Sequence, residues 1–328
     1  MNFRSIADLQ HIILTRIHTI PPDVDIVVGI ARSGMLPATM IALALNVPLA
    51  EMTTFSAGTI LGMGRTRRVK RMELNFADVR HALIVDDSSD TGASIQEARA
   101  TLSPIAGAIK MTFCAIYGRP GISVADLTFE QVPHPRVFEW NVMHHSLLER
   151  SCVDIDGILC HDPSADENDD GAAYLAFLEQ ARTRLLPTKA IGTLVTSRLE
   201  KYRPQTETWL KKHGISYGSL IMLDLPDAAT RRKQQAHGTF KGGYYRKSTA
   251  ELFIESELNQ AVEIARISGK PVLSMEGPIM CYPNDLSAIA ALQRVRRLVE
   301  AKRYRSLAGR IAKRLLGEHA EMMKKLIS

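Results

Sequence analysis

The stretch Leu83-Ile84-Val85-Asp86-Asp87-Ser88-Ser89-Asp90-Thr91-Gly92-Ala93-Ser94 decides the fold of the first half of the chain. An apolar run from His81 to Val85 reads as a strand covered on both faces. It delivers two adjacent carboxylates to its C-terminal edge, where open α/β sheets bind ligands. A short turn follows, and a helix starts around Gly92. The free N–H groups of a first helical turn hold anions, aided by the helix dipole. Thr91 and Ser94 add hydroxyls. Paired acids beside a phosphate nest suit a sugar phosphate, because the acids accept from ribose hydroxyls while the amides hold the phosphate. The plain alternative is a strand ending in an Asp- and Ser-capped turn.

Outward from that stretch the rhythm is strand and helix in alternation. Residues 25–29 read as a strand, 35–45 as a helix, 92–102 as a helix and 109–117 as a strand, which predicts a parallel sheet covered on both faces. The turn Val28-Gly29-Ile30-Ala31-Arg32-Ser33-Gly34 offers a cation, a hydroxyl and close backbone amides to an anion. It also reads as an ordinary βα loop.

These two segments resemble the type I phosphoribosyltransferase family over roughly residues 20–145. The resemblance implies that residues 83–94 bind phosphoribosyl pyrophosphate (PRPP) and that Arg32, Ser33 and Gly34 form a pyrophosphate loop. It implies Asp86 and Asp87 on the ribose hydroxyls, with Asp87 near Mg2+. Asp90, Thr91, Gly92, Ala93 and Ser94 would hold the 5′-phosphate, and Asp90 would act on the ring nitrogen of a purine-like acceptor. The Gly- and Arg-rich run 58–71, with Arg65, Arg67, Arg68 and Lys70, stands where the family has a loop that closes over pyrophosphate. Trp140 reads equally as a cover for the base and as core.

A second strand series starts at Ser151. Val153-Asp154-Ile155-Asp156-Gly157 ends a strand in two acids at spacing i, i+2; one can attack phosphorus while the other protonates the leaving oxygen. Further strands end in Thr196 and in Glu255-Ser256-Glu257, with Lys241 between them. In that order the set resembles the haloacid dehalogenase (HAD) superfamily of aspartyl-phosphate hydrolases over roughly 151–276. The resemblance implies Asp154 as nucleophile, Asp156 as acid/base, Thr196 on a phosphoryl oxygen and Lys241 neutralising charge. Mg2+ would be held by Asp154, Asp156 and Glu255. Ser256 separates two acids that the family usually keeps adjacent, and Lys247 competes with Lys241. The short acidic insert 161–170 is too small for a cap domain.

Composition bounds the rest. The 328 residues are 45% hydrophobic and 23% charged, which excludes disordered and fibrous classes. No window approaches 18 uncharged apolar residues, so no transmembrane helix is expected, and residues 1–20 do not read as a secretory signal. Cys114, Cys152, Cys160 and Cys281 form no CxxC pair, which predicts reduced thiols and a cytoplasmic setting. The net charge of +6 comes from the last 44 residues, whose eleven Lys and Arg against four Asp and Glu give +7, while the rest of the chain is near neutral. That distribution argues against a body that binds nucleic acid.

The expected architecture is therefore α/β: two doubly wound parallel-sheet domains, phosphoribosyltransferase-like over 1–147 and HAD-like over 148–284, then a basic amphipathic helical tail over 285–328. The expected activity is transfer from PRPP to a nucleobase-like acceptor, followed by Mg2+-dependent removal of the 5′-phosphate. A homodimer is the family default. Two other readings stay open: a PRPP- or nucleotide-sensing regulator that uses the tail on nucleic acid, and a phosphatase whose first domain only recognises substrate.

Overall fold

The computed structural model describes residues 1–61, 75–233 and 236–285. The loop cations Arg65, Arg67, Arg68 and Lys70 lie outside the described residues, as does the tail beyond residue 285. The chain divides into two compact units, Met1–His145 and Ser146–Ser328. Both are mixed α/β with parallel sheets.

The first unit runs β1 (Asn2–Arg4), α1 (Ile6–Arg16), β2 (Ile26–Gly29), α2 (Met35–Leu45), β3 (Leu49–Glu51), α3 (Met52–Ser56), β4 (His81–Ser89), α4 (Ala93–Leu102), β5 (Lys110–Gly118), β6 (Leu127–Gln131) and β7 (Arg136–Phe138). Its sheet has the order β3-β2-β4-β5-β6, and all pairs are parallel. Strand side chains alternate between faces, and here both faces are dry. Val27, Leu83, Val85, Cys114 and Ile116 pack with Leu9, Ile13 and Ile41 of α1 and α2. Ile26, Val28, Ala82, Ile84 and Phe113 pack with Phe55 of α3 and with Ile95, Ala98 and Leu102 of α4. That is why the strand reads as an unbroken apolar run rather than an alternating one.

Two features depart from the sequence expectation. β4 does not stop at Val85: pairing with β5 continues through Asp86 opposite Ala115 to Ser89 opposite Gly118. The two acids are thus part of the sheet, not of the turn after it. The segment after residue 135 also forms a strand, β7, which pairs in parallel with β1. This small ribbon returns residues 136–140 to the end of β4.

The second unit runs β8 (Ser151–Val153), α5 (Ala172–Gln180), β9 (Ile191–Leu199), α6 (Arg203–Lys212), β10 (Tyr217–Leu223), α7 (Ala228–Lys233), α8 (Ala236–Lys247), β11 (Leu252–Glu255), α9 (Leu258–Ser268), β12 (Val272–Ser274) and β13 (Ile279–Cys281). Sheet order is β10-β9-β8-β11-β12-β13, parallel except for the antiparallel edge pair β12–β13. β8 lies in the middle, so the residues after it emerge at the sheet's C-terminal edge between β9 and β11. Among the described residues, no helix is long and apolar enough to cross a membrane.

Gly34 shows how tightly the first unit is drawn together at its edge. A Cβ there would lie 2.5 Å from the Ile30 carbonyl oxygen and 2.7 Å from that of Val85. Neither backbone oxygen can yield as a side chain would. Gly34→Ala is expected to cost about 1–3 kcal/mol through overpacking, read as a lower urea midpoint for the first unit's transition.

Candidate functional site

Each unit places a cluster of charged side chains at the C-terminal edge of its sheet. In the first, the turn after β2 and the end of β4 are joined directly. Ile30 N–H donates to the Val85 carbonyl at 2.9 Å, and Ser33 Oγ donates to Asp87 Oδ1 at 2.6 Å. The Ala31–Arg32 peptide is cis. Arg32 is exposed beside these contacts. Asp87 also accepts from the indole N–H of Trp140, at 2.7 Å to Oδ2. The Asp87 backbone N–H donates to Asp86 Oδ1 at 2.9 Å.

Both carboxylates are buried, at 5% and 3% exposure. Burial, and then the neighbouring Asp87, push the Asp86 carboxyl up to about 8. Near neutral pH the pair therefore carries close to one proton. A ligand that offers hydroxyl donors or a cation gives the second charge a partner. Beyond the pair, α4 starts at Ala93 with Gly92 as its cap in the left-handed region, φ 87°, and no side chain caps it. Asp90, Thr91, Ala93 and Ser94 are exposed at that N-terminus.

Asp90 is not free in this arrangement. It accepts from His134 Nε2 at 2.6 Å and from the Arg136 guanidinium at 3.4 Å. The His134 hydrogen bond holds its carboxyl below the usual range, against a smaller effect of burial. An ionised Asp90 accepts hydrogen bonds but has no proton to give to a ring nitrogen. Arg136 is itself buried and also donates to the Ser89 carbonyl at 3.1 Å. The half-buried Trp140 ring stacks on Phe138 at 5.0 Å, and Phe138 stacks on Tyr117 at 5.2 Å. It is both core packing and a ligand of Asp87. His134 and Arg136 were not visible as site residues in the sequence. They reach Asp90 across 44 and 46 positions by way of the β1–β7 ribbon, and no local spacing marks that.

In the second unit, Lys241 of α8 stands between two acids. Its ammonium donates to Asp154 Oδ2 at 2.7 Å and to Glu255 Oε2 at 2.8 Å, with Gln260 Oε1 at 3.2 Å. All three charged groups are at most 5% exposed. Burial pushes the Asp154 carboxyl well up despite Lys241, because Glu255 competes for the same ammonium. Burial opposes the charge on Lys241, and the two carboxylates more than restore it. Asp154, Asp156, Ser197, Lys241 and Glu257 help to wall a cavity of about 230 Å³.

Three sequence expectations change here. Asp156 is clamped by Arg198, with Nε at 3.1–3.2 Å and a terminal nitrogen at 2.6 Å. Burial works against its ionisation, but the guanidinium prevails and holds the carboxyl below its usual range. An acid so paired is a poor proton donor near neutral pH. Thr196 is wholly buried, accepts from the Arg198 backbone N–H at 3.2 Å and lies off the cavity wall; Ser197 takes the place on the wall. Successive strand residues face opposite ways, so a one-residue step moves the hydroxyl. Finally, Asp154, Asp156 and Glu255 do not converge as metal ligands. Lys241 separates the first from the third, Arg198 occupies the second, and the other oxygen of Glu255 accepts from the Ser256 backbone N–H at 2.9 Å. Among the described residues no group of three or more His, Cys, Asp or Glu is arranged to hold a metal ion.

With this geometry in hand, comparison with known proteins is informative for the first unit. Residues 2–126 match the family model of the phosphoribosyl transferase domain. The solved structures that resemble the chain include a purine phosphoribosyltransferase from Pyrococcus horikoshii, at 20% identity over 42% of this chain and 92% of that one, TM-score 0.32. They also include a xanthine-guanine-hypoxanthine phosphoribosyltransferase from Helicobacter pylori, at 16% over 43% and 92%, TM-score 0.31. A third is an orotate phosphoribosyltransferase from Aeropyrum pernix, at 17% over 39% and 71%, TM-score 0.27. Comparison with curated proteins gives no significant match.

The buried acid pair has a pH signature. Asp86 titrates near 3.8 when exposed and about 8 when folded. The folded state therefore binds more protons than the unfolded state between those values, and wild-type stability falls as pH rises through that window. Asp86→Asn stays neutral throughout. It is expected to match wild type in melting temperature near pH 4 and to exceed it by several degrees at pH 8.5, on the order of a few kcal/mol, as followed by circular dichroism.

Proposed function

We propose that this chain, whose residues 2–126 match the phosphoribosyl transferase domain, is a two-step enzyme of nucleotide metabolism. In the first step a nucleobase-like acceptor attacks C1 of PRPP. The C1–O bond breaks, pyrophosphate leaves with the bonding pair, and the acceptor's ring N–H is lost as a proton. In the second step the 5′-phosphate of the nucleotide is removed, leaving a nucleoside or analogue.

The observation that carries the reading is the contact between the turn after β2 and the end of β4, Ser33 Oγ on Asp87 at 2.6 Å. It sets a pyrophosphate-binding turn beside two acids fit for ribose hydroxyls, at the edge where α4 begins. As pyrophosphate departs, charge grows on oxygen and on C1 together. Arg32 and the backbone amides of residues 32–34 would meet the first, and the Asp86–Asp87 pair, with its one charge, would orient the ribose and stabilise the second. Asp90, held ionised, would accept from a donor on the acceptor ring.

Asp86 and Asp87 present hard oxygen donors, and a Mg2+ ion commonly takes one or two carboxylates and draws its other ligands from phosphates and water. The donor chemistry therefore fits, with these two residues as its holders. Bound there, Mg2+ would neutralise charge on the pyrophosphate oxygens.

For the second unit the reading is a hydrolase of the HAD type. It is supported by Asp154 and Lys241 on the wall of one cavity, with Glu255 buried behind them on the same ammonium. Asp154 would attack phosphorus, the P–O bond to the sugar would break and the sugar oxygen would take up a proton. Water would then split the acyl phosphate and return the carboxylate. With Asp156 paired to Arg198, the proton for the sugar oxygen comes from elsewhere. Asp162 on the cavity wall is suited to that role, because burial and then Asp156 and Glu257 push its carboxyl up. No step is assigned to a metal in this unit, since its carboxylates are taken by Lys241, Arg198 and Ser256.

The test is to incubate the protein with Mg2+, PRPP and a panel of bases, following pyrophosphate and inorganic phosphate separately. Wild type is expected to release both with its own acceptor. Asp154→Asn should release pyrophosphate only. Arg32→Gln should lower kcat/KM for PRPP about ten- to a hundredfold, the worth of one charge-assisted hydrogen bond. Absence of pyrophosphate with every base would overturn the transferase reading.

A further inference from the structure

The cavity above Asp154 holds two polar groups that the hydrolytic reading leaves without work. Ser197 Oγ and Arg231 Nε are buried, and neither has a hydrogen-bond partner. Each residue is 7% exposed, and both line the cavity. They are adjacent: a terminal nitrogen of Arg231 donates to the Ser197 carbonyl at 2.9 Å. The other terminal nitrogen reaches Asn168 Oδ1 at 3.4 Å. The guanidinium is thus oriented at its far end while its Nε edge is unsatisfied. Buried donors without partners are costly, and a fold tolerates them where something else completes them.

The charge balance says what that is. The other buried cations at this edge are already paired, Lys241 with Asp154 and Glu255, and Arg198 with Asp156. Among the described residues, Arg231 has no carboxylate within ion-pair distance. It faces a small polar cavity and stands beside Tyr174, whose phenol it contacts. A fixed, unpaired guanidinium next to an unpaired hydroxyl is a receptor for an oxyanion, since both donate and the arginine is always charged. A terminal phosphoryl group is dianionic and has three oxygens to be met, so it uses both donors.

We propose that Arg231 Nε and Ser197 Oγ form an oxyanion subsite that holds the terminal phosphoryl group presented to Asp154. It rests on the hydrolase reading for the fate of that group, but its binding role does not require turnover. It also selects substrate class: phosphomonoesters that bring a dianion are held, and neutral or singly charged esters are not. Arg231 is on α7 and belongs to none of the sequence motifs, so spacing alone gives no sign of it.

The experiment is calorimetric titration of the full chain with inorganic phosphate at low salt. The first unit contributes its own phosphate sites, so variants in each unit are compared. Arg231→Lys, which keeps the charge but loses the fork, is expected to weaken one class of sites about tenfold or more. Ser197→Ala should weaken the same class severalfold, and Arg32→Gln should leave that class unchanged. Ser197 Oγ has no partner to lose, so its removal leaves the fold intact and decides the matter if Arg231→Lys unfolds. Equal phosphate affinity in wild type, Arg231→Lys and Ser197→Ala would overturn the subsite, as would no phosphate binding by wild type. Phosphate bound at this class with no hydrolysis of any nucleotide would sink the hydrolase reading and leave the subsite standing.

Discussion

Two carboxylates side by side in a buried strand are the constraint around which the first unit is arranged. Water would stabilise both charges; the sheet edge removes it. Ser33 and Trp140 each give Asp87 a hydrogen bond, and the Asp87 amide gives one to Asp86. These three donors are neutral, so they offset part of the desolvation and leave one charge poorly compensated. In the proposed site, a polyhydroxylated or cation-bearing ligand would relieve that residual deficit. Gly34, the β1–β7 ribbon and the aromatic stack behind Trp140 make sense as means of bringing donors to that point. The fold forgoes stability there to keep a preorganised acceptor pair, as functional sites commonly do.

The second unit solves a related problem with full charges. Asp154 and Glu255 share one ammonium, which leaves the cluster one negative charge in excess. Burial is the largest influence on Asp154, and repulsion from Glu255 adds to it, so the carboxyl is pushed up even with Lys241 in contact. Asp156 has a guanidinium of its own and lies on the other side of the balance. Two acids only two residues apart are thus driven in opposite directions by their cations. Such separation is how one site comes to hold acids of different character. Here it runs against the simplest assignment, in which the second acid of the motif carries the proton.

Much of this could be read from the sequence, and the line between what could and what could not is physical. Asp86, Asp87, Ser33 and Gly34 were legible because each is fixed by its own strand and turn. Asp154 and Glu255 are legible because each stands at the end of an apolar strand, and Lys241 because it falls between them in the chain, on helix α8. Trp140 was noticed but not its bond to Asp87, and His134 and Arg136 were missed. Their place depends on a three-residue parallel ribbon that no period announces. Thr196 and Ser197 differ by one step of a strand, below the resolution of any pattern that lacks the pairing register. β4 reads shorter in the sequence than it is, because charged residues usually end a buried strand, whereas pairing to β5 carries the backbone four residues further.

The same reasoning bears on how the two chemistries can share a chain. Phosphoribosyl transfer from PRPP is reversible in principle, and its forward direction gains when the nucleotide product is consumed. A site that binds a dianionic phosphoryl group through Arg231 and Ser197 competes for the same 5′-phosphate that the N-terminus of α4 would hold. The proposed α4 site would offer neutral amides at an exposed surface, whereas Arg231 would offer a fixed charge with, among the described residues, no carboxylate against it. In lower dielectric that difference favours the second site. On the proposed two-step reading, a nucleotide released from the first unit would be held more strongly at the second, and the order of steps would follow from the electrostatics of the two phosphate sites.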